Sequence, residues 1–349
     1  MIKEIINGTF ADFCQYFMNA KLLTQGYNIW DSNSPGLMEQ TNLLVSRIGV
    51  QCRAKVLHSM GFFFIISPLT YLPPKAAAIL WIGLCQISLI SSICVIVKAL
   101  GRLDIGNAMR AFFLVLNFWP LKEDLRLGQP NALILLLFSL SLLSMKYRKF
   151  ILAGIFLGLG IQIREFFLPM LLFCAFKKYW KSLASGITAL LLLKLVSVLV
   201  FGIDKEIFYW RHHYQFFPSI YNFFSGREVD VFSVSVIDLW RRLSEGLLPA
   251  VVSQWAILIL FFLVVWRGWK HGREVEEDAQ GERLALEFSF FLVLCFILSP
   301  WVHETHFVVL CLPLLVSWQY IIESPSHKNF ILFLAAYLIL GLKSDMSKL

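Results

Sequence analysis

The chain has 349 residues, of which 58% are hydrophobic and only 15% are charged, and its mean hydropathy is +0.69. A soluble domain of this length could not bury so much apolar surface in one core, which excludes a soluble globular protein. The net charge of +8 lies in short clusters between apolar runs, so nucleic-acid binding is also disfavoured. We predict an all-α, polytopic membrane protein that forms one domain over residues 1–349.

The first predicted element is an amphipathic helix that begins at Asp12 and is broken by Gly26. Asp12 and Tyr16 lie four residues apart and therefore share one face of this helix. Asp12 suits either a helix N-cap or a catalytic carboxylate. Cys14 and Cys52 lie outside the apolar runs and would pair only if their segments face an oxidising compartment; two free thiols are equally compatible with the sequence.

Apolar runs along the rest of the chain predict about ten membrane spans, since a span needs roughly 20 apolar residues and some of these runs are short. The segment 58–72 contains Pro68 and is too short for a full span, so it predicts a re-entrant or interfacial helix. The predicted spans are residues 76–97, 107–119, 130–145, 150–163, 166–176, 182–203, 249–266, 285–299, 306–321 and 329–342.

The topology follows from the basic clusters, which fall on one side of the membrane when the spans alternate. By the positive-inside rule this side is cytoplasmic, so the polar segments between the clusters face outwards. The predicted outer loops are residues 1–58, 120–130, 204–248 and 300–306. We expect a multi-pass protein of the cell membrane with its active site on the extracytoplasmic face.

The most specific stretch is Leu121–Asn131, a charged break before a leucine-rich helix. Pro130 stands where the first helical turn should begin, and the free amides of that turn would favour an anion such as a phosphate beside Arg126. The alternative is a tight turn at Gly128 and Pro130 that Gln129 and Asn131 cap.

Three further positions carry polar chemistry at or inside apolar sequence. Arg164 ends a glycine-containing span, so it either bonds Glu165 or binds an anion. Lys194 lies inside its apolar run and requires a buried partner or a snorkelling stem. The segment His303-Glu304-Thr305-His306 lacks the spacing of a known zinc motif, so we expect no metal or other cofactor and leave a divalent ion as the alternative.

These motifs resemble the family 87 glycosyltransferases of the GT-C type. The stretch Leu125-Arg126-Leu127-Gly128-Gln129-Pro130-Asn131 is similar to the family's Gly-Gln-any-Asn segment, and the segment from Ser299-Pro300 through His306-Phe307 is similar to its Ser-Pro-to-histidine segment. The N-terminal pattern that resembles the family's first outer loop comprises Asp12-Phe13, Tyr16, Ala20, Leu23, Gly26 and Trp30. The chain departs from the family at His58-Ser59-Met60, where a Tyr-Pro-Pro is usual, and at Arg164, where lysine is usual.

The resemblance implies inverting transfer of a sugar, mannose or a related sugar, from a polyprenyl-phosphate donor to a hydroxyl of a glycan or glycolipid. The bilayer would hold the donor, and no nucleic acid would be bound. The implied site has Asp12 and His306 as catalytic residues, Arg126, Gln129, Asn131 and Arg164 at the donor phosphate, and Tyr16, His303 and Glu304 as substrate contacts. The alternatives are a transporter or flippase of a lipid-linked or small substrate, and a structural subunit of an envelope assembly.

Overall fold

The structure, a computed structural model, describes residues 11–31, 33–48, 58–101, 104–216, 280–299, 302–323 and 326–341. All regular secondary structure within these ranges is helical, as predicted. The helices of the first half are α1 (Ala11–Thr24), α2 (Leu37–Ile48), α3 (Met60–Ile66), α4 (Pro74–Ala99), α5 (Ile105–Leu116), α6 (Trp119–Leu127) and α7 (Asn131–Lys146). Those of the second half are α8 (Phe150–Ile163), α9 (Met170–Phe176), α10 (Trp180–Phe201), α11 (Ile203–Phe216), α12 (Gln280–Leu298), α13 (Cys311–Glu323) and α14 (His327–Gly341).

Three described helical segments are long and apolar enough to cross a membrane. They are α4, α10 and the continuous segment Glu304–Glu323, in which a 3-10 stretch, Glu304–Leu310, leads into α13. The pair α6 and α7, bent by 118°, makes a fourth if it is counted as one span. The other predicted spans that fall on described residues are helices too, but they do not meet both criteria; the span predicted at 249–266 lies outside the described residues. The apolar helices identify a membrane protein.

The segments predicted as outer loops contain the helix predicted from Asp12, which is α1, and further helices besides. Residues 1–58 include α1 and α2, residues 120–130 are mostly α6, and residues 204–248 begin with α11, their remainder lying outside the described residues. The stretch 120–130 was predicted as a charged break and not as a helix. Only one side of the nine-residue α6 is buried, as in an amphipathic helix. The segment predicted to be re-entrant forms α3 followed by a 3-10 turn over Ser67–Tyr71, and Pro68 lies in its first turn.

The bundle depends on close contact between α8 and α10. Both helices carry glycines at this contact: an ideal Cβ built at Gly158 would lie 2.6 Å from the backbone oxygen of Gly186, and one at Gly154 would collide with the backbone oxygen of Ser182. Oγ of Ser182 also donates to the backbone oxygen of Phe150 at 2.7 Å. Small residues of this kind let two membrane helices approach until their backbones touch.

We therefore expect Gly154→Ala to destabilise the protein strongly. The new methyl group meets backbone, which cannot rotate away, so the helices must separate at a cost of about 3 kcal/mol. The measurement is the melting temperature in detergent, beside Gly83→Ala as control, since no atom lies within 4 Å of a Cβ at Gly83 in α4. Equal melting temperatures for the two variants would contradict the close contact.

Candidate active site

Four side chains predicted from the sequence meet in one hydrogen-bond network. Gln129 Nε2 donates to Asp12 Oδ2 at 2.5 Å, and Tyr16 Oη donates to Gln129 Oε1 at 3.0 Å. The guanidinium of Arg164 also donates to Gln129 Oε1 through Nη2. The network joins α1, the turn between α6 and α7, and the C-terminal end of α8, which are far apart in the sequence.

The turn that carries Gln129 is fixed by its neighbours. Gly128 ends α6 with φ 72° and ψ 36°, a left-handed conformation that favours glycine. Its carbonyl accepts a hydrogen bond from Trp81 Nε1 at 2.8 Å, and Gln129 N donates to the Asp124 carbonyl at 3.0 Å. The glycine thus serves as a helix C-cap and aims the next side chain at Asp12.

The start of α7 is occupied by a carboxyl group of the protein itself. Asp124, which is fully buried, accepts from Asn131 Nδ2 at 2.7 Å and interacts with the backbone amides of Asn131 and Ala132. Asn131 Nδ2 also donates to the backbone oxygen of Thr305 at 3.2 Å. Asp124 therefore takes the place we expected for a phosphate, and Asn131 links α7 to the 3-10 segment.

His306 lies in that 3-10 segment and is only 3% exposed. The backbone N–H of His303 donates to His306 Nδ1 at 3.2 Å, which leaves the ring proton of a neutral imidazole on Nε2. His306 Nε2 is buried and has no hydrogen-bond partner among the described residues. The ring packs against Phe166 at a centroid distance of 5.4 Å. His306 thus presents an unused N–H donor.

Arg164 is the electrostatic centre of the site. Its charge acts on three predicted residues, Asp12, Tyr16 and His306. It also acts on His58 and Asp124. No carboxylate within the described part of the chain forms an ion pair with Arg164, and its Nε is buried without a hydrogen-bond partner. The site thus contains a cation with unused donor capacity.

Arg126 lies at the rim of the site. Its guanidinium donates to Glu123 Oε2 from Nε at 2.9 Å and from Nη2 at 2.7 Å, and the side chain is 48% exposed. It acts electrostatically on both Asp12 and Glu304 without touching the Gln129 network. Arg126 and Arg164 thus bring two positive charges to the surroundings of Asp12.

The ionisation of the site favours Asp12 as the group that exchanges a proton. Burial raises the pKa of the Asp12 carboxyl, while the hydrogen bond from Gln129 and the charges of Arg164 and Arg126 lower it. Burial also raises the pKa of Tyr16, which keeps its hydroxyl protonated as a donor. Asp12 is partly exposed and can meet a substrate, whereas Asp124 is fully buried.

His58 was not among the predicted site residues. It is buried, its ring lies edge-on to Tyr16 at a centroid distance of 4.7 Å, and burial together with the charge of Arg164 lowers its pKa well below the ordinary value. The sequence feature that could have indicated His58 was the departure from the family pattern at His58-Ser59-Met60. A neutral imidazole is thus packed beside the Gln129 network.

Of the two roles predicted for Arg164, the bond to Glu165 is wrong. Glu165 accepts from Tyr209 Oη at 3.0 Å and lies 3.7 Å from Lys194 Nζ. Lys194 also pairs with Glu206 at 3.0 Å and lies 4.3 Å above the ring of Trp210. Lys194 therefore has the buried partner that its position required, and Arg164 does not use the adjacent carboxylate.

Cys14 on α1 is disulfide-bonded, and five other cysteines are free. The alternative of a free thiol is therefore wrong for Cys14. Cys52, the other cysteine for which pairing was considered, lies outside the described residues. No group of three or more His, Cys, Asp or Glu side chains among the described residues is placed to hold a metal ion, and the expectation of no metal stays a prediction.

Comparison with known proteins identifies the family. The model of glycosyltransferase family 87 matches residues 57–321, which is 265 of the 349 residues and includes Arg126, Gln129, Arg164 and His306. The matched range begins after Asp12 and Tyr16. No curated protein and no solved structure matches the chain. The match confirms the resemblance seen in the sequence. It supports a glycosyltransferase over the two alternatives, a transporter and a structural subunit. The chain belongs to glycosyltransferase family 87 and is a membrane glycosyltransferase.

Proposed function

We propose that this enzyme transfers a sugar, mannose or a related sugar, from a polyprenyl-phosphate donor to a hydroxyl of a glycan or glycolipid, with inversion at the anomeric carbon. The observation that carries the proposal is Arg164, which has no ion-pair partner within the described residues and lies in the same network as Asp12. A partly buried guanidinium is costly without a counter-charge, so the site favours an anionic substrate group. A lipid phosphate supplies that charge.

Arg164 in the interior of the site and Arg126 at its rim would both bind this phosphate. Arg164 can add donors to phosphate oxygens through its free Nε, and Arg126 can exchange its ion pair with Glu123 for the same anion. Gln129 and Asn131, also expected at the phosphate, already use their amides within the protein. The prenyl chain would extend along the apolar surface between spans.

Asp12 and His306 would have different tasks in the transfer. The acceptor oxygen bonds to the anomeric carbon while the bond from that carbon to the phosphate oxygen breaks, and the polyprenyl phosphate leaves as an anion. The acceptor proton passes to Asp12, which is partly exposed and raised in pKa. His306, with its proton on Nε2, is suited to donate a hydrogen bond to the leaving phosphate or to the sugar.

Two observations support an extracytoplasmic site. By the positive-inside rule, the basic clusters favour a position opposite the cytoplasmic side for the segment of Asp12. The disulfide at Cys14, two residues from Asp12, is the kind of bond that persists in oxidising compartments. The site would therefore use a donor presented on the outer face.

The task of His306 can be tested by two substitutions. We expect His306→Ala to lower the transfer rate by about 10²-fold, the usual cost of one lost donor to a developing charge. His306→Gln should recover part of this loss, because a glutamine amide donates a hydrogen bond but does not accept the acceptor proton. Transfer rates of purified variants give the comparison, with the exposed His327→Ala as control. A glutamine variant as inactive as the alanine variant would show that donating a hydrogen bond is not the task of His306.

The donor class is tested directly with the purified enzyme in proteoliposomes. Radiolabelled polyprenyl-phosphate mannose is compared with a nucleotide-linked mannose, with a membrane glycolipid fraction as acceptor and Asp12→Asn as the blank. We expect label to reach the acceptor only from the lipid phosphate. Polyprenyl-phosphate arabinofuranose is run in parallel to identify the sugar. Transfer from the nucleotide donor, and none from any lipid phosphate, would overturn the proposal.

A further inference from the structure

The side-chain amide of Gln129 is engaged at both ends by groups from different elements. Its Oε1 faces Tyr16 on α1 and Arg164 at the end of α8, and its Nε2 faces Asp12 on α1. An arginine guanidinium has donors only, so the atom opposite it must be the amide oxygen. The amide orientation is therefore fixed by chemistry, and Nε2 must donate to Asp12.

This arrangement is poorly suited to holding a phosphate. The Gln129 oxygen accepts two hydrogen bonds and would repel an anion, and one of the two amide hydrogens is used on the Asp12 carboxyl. The backbone of the turn is also occupied, since the Gln129 carbonyl lies 3.6 Å from Cys85 Sγ. The amide is thus turned towards the carboxylate and not towards a free surface.

We propose that Gln129 is a positioning residue, which aims the Asp12 carboxylate and favours its ionised form, and which connects it to Arg164. This inference rests on the proposed function of Asp12 as the base. A donated hydrogen bond stabilises a carboxylate relative to the carboxylic acid. The donors from Tyr16 and Arg164 polarise the amide and strengthen the bond it donates. Gln129, which bonds Arg164, therefore orients the carboxylate of Asp12 and stabilises its ionised form.

Several other charged and titratable groups surround Asp12, and each lies on an element other than the turn that carries Gln129. Arg164 and Arg126 act on Asp12 electrostatically, and Tyr16 follows it on α1. The elements packed around α1 further contribute Cys85 from α4, Asp124 from α6 and His58 from before α3. These groups remain when Gln129 is replaced, but Arg164 and Tyr16 lose the acceptor that they share. A change in Asp12 titration therefore reports the loss of the amide together with these two contacts.

The test measures Asp12 titration in two independent ways. In the first, a hydrophobic carbodiimide labels protonated carboxyls at a series of pH values, and mass spectrometry of the Asp12 peptide gives the midpoint. In the second, the pH dependence of sugar transfer gives the acid limb and the KM for the lipid-phosphate donor. The variants are Gln129→Met and the matched control Gln162→Met, since Gln162 is a buried glutamine that bonds Ser59 and not Asp12.

We expect Gln129→Met to move both the labelling midpoint and the acid limb upwards by about one pH unit, with the donor KM little changed. Gln162→Met should move neither. If Gln129→Met does not accumulate, the nearly isosteric Gln129→Glu replaces it and should raise the midpoint further, because a second carboxyl would face Asp12. An unchanged midpoint together with a raised donor KM would overturn the inference and return Gln129 to the phosphate. A shifted midpoint in an enzyme that uses no lipid-phosphate donor would uphold the Gln129–Asp12 link and defeat the proposed function alone.

Discussion

Asp12→Asn is expected to lower the rate of sugar transfer by about 10³-fold, within the range observed when a general base is removed. Asparagine keeps the size of the side chain and can still accept a hydrogen bond from Gln129, so the network should survive while proton transfer is lost. The measurement is transfer from the lipid-phosphate donor by purified enzyme at saturating donor. Donor KM should change little, because Asp12 would not contact the phosphate.

The control for this substitution is Asp104→Asn at the exposed N-cap of α5, where asparagine caps as well as aspartate. It should transfer at the wild-type rate. The rate of the wild-type enzyme should also fall as the pH drops through the pKa of Asp12, since the base must be ionised, and burial places this limb above the range of an ordinary aspartate. Full activity in Asp12→Asn would remove Asp12 from the chemistry.

Arg164→Gln is expected to lower kcat/KM for the donor by about 10²-fold to 10³-fold, the magnitude typical of a lost donor to a developing oxyanion. Glutamine removes the charge that would face the phosphate in both the bound donor and the leaving group. Part of the loss should appear as a raised donor KM, which separates this variant from Asp12→Asn. Donor titrations on purified enzyme provide both constants.

The charge of Arg164 can be separated from its shape. Arg164→Lys should retain more activity than Arg164→Gln, since the resemblance to the family implies that lysine usually occupies this position. Arg110→Gln provides the control, because Arg110 is exposed on α5 and bonds only the Gly106 backbone within the described structure. Equal activity of the lysine and glutamine variants would show that the positive charge at this position is not what the donor requires.

The long apolar helices could be predicted from the sequence because their signal is local. The spans expected at 76–97 and 182–203 correspond to α4 and α10 with ends that differ by only two residues. The stretch 120–130 was harder, since its charged residues indicated a loop and its helical periodicity covers only nine residues. The alternative of a tight turn at Gly128 agrees with the structure, and the φ of 72° explains why a glycine stands there.

The site was only partly predictable. The residues that form it were selected by their chemistry and by the family resemblance, but their partners depend on contacts across the fold: Gln129 and Asp12 are 117 positions apart. For this reason we expected a phosphate at the start of α7, whereas the carboxyl of Asp124 already occupies that turn. Sequence spacing indicates which residues share a helix face and gives no account of which helix ends meet.

The segment that carries His306 is longer in its 3-10 form than it would be as an α-helix. Glu304–Leu310 is wound as a 3-10 helix and continues directly into α13. Seven residues extend about 14 Å in this form and about 10.5 Å in an α-helix, so rewinding would shorten the span by about 3.5 Å. Because α13 is fixed in the bundle, the shortening would draw His306 along the span axis and rotate its ring relative to Arg164. The distance between the imidazole of His306 and the guanidinium of Arg164 thus depends on how the residues of this segment are wound.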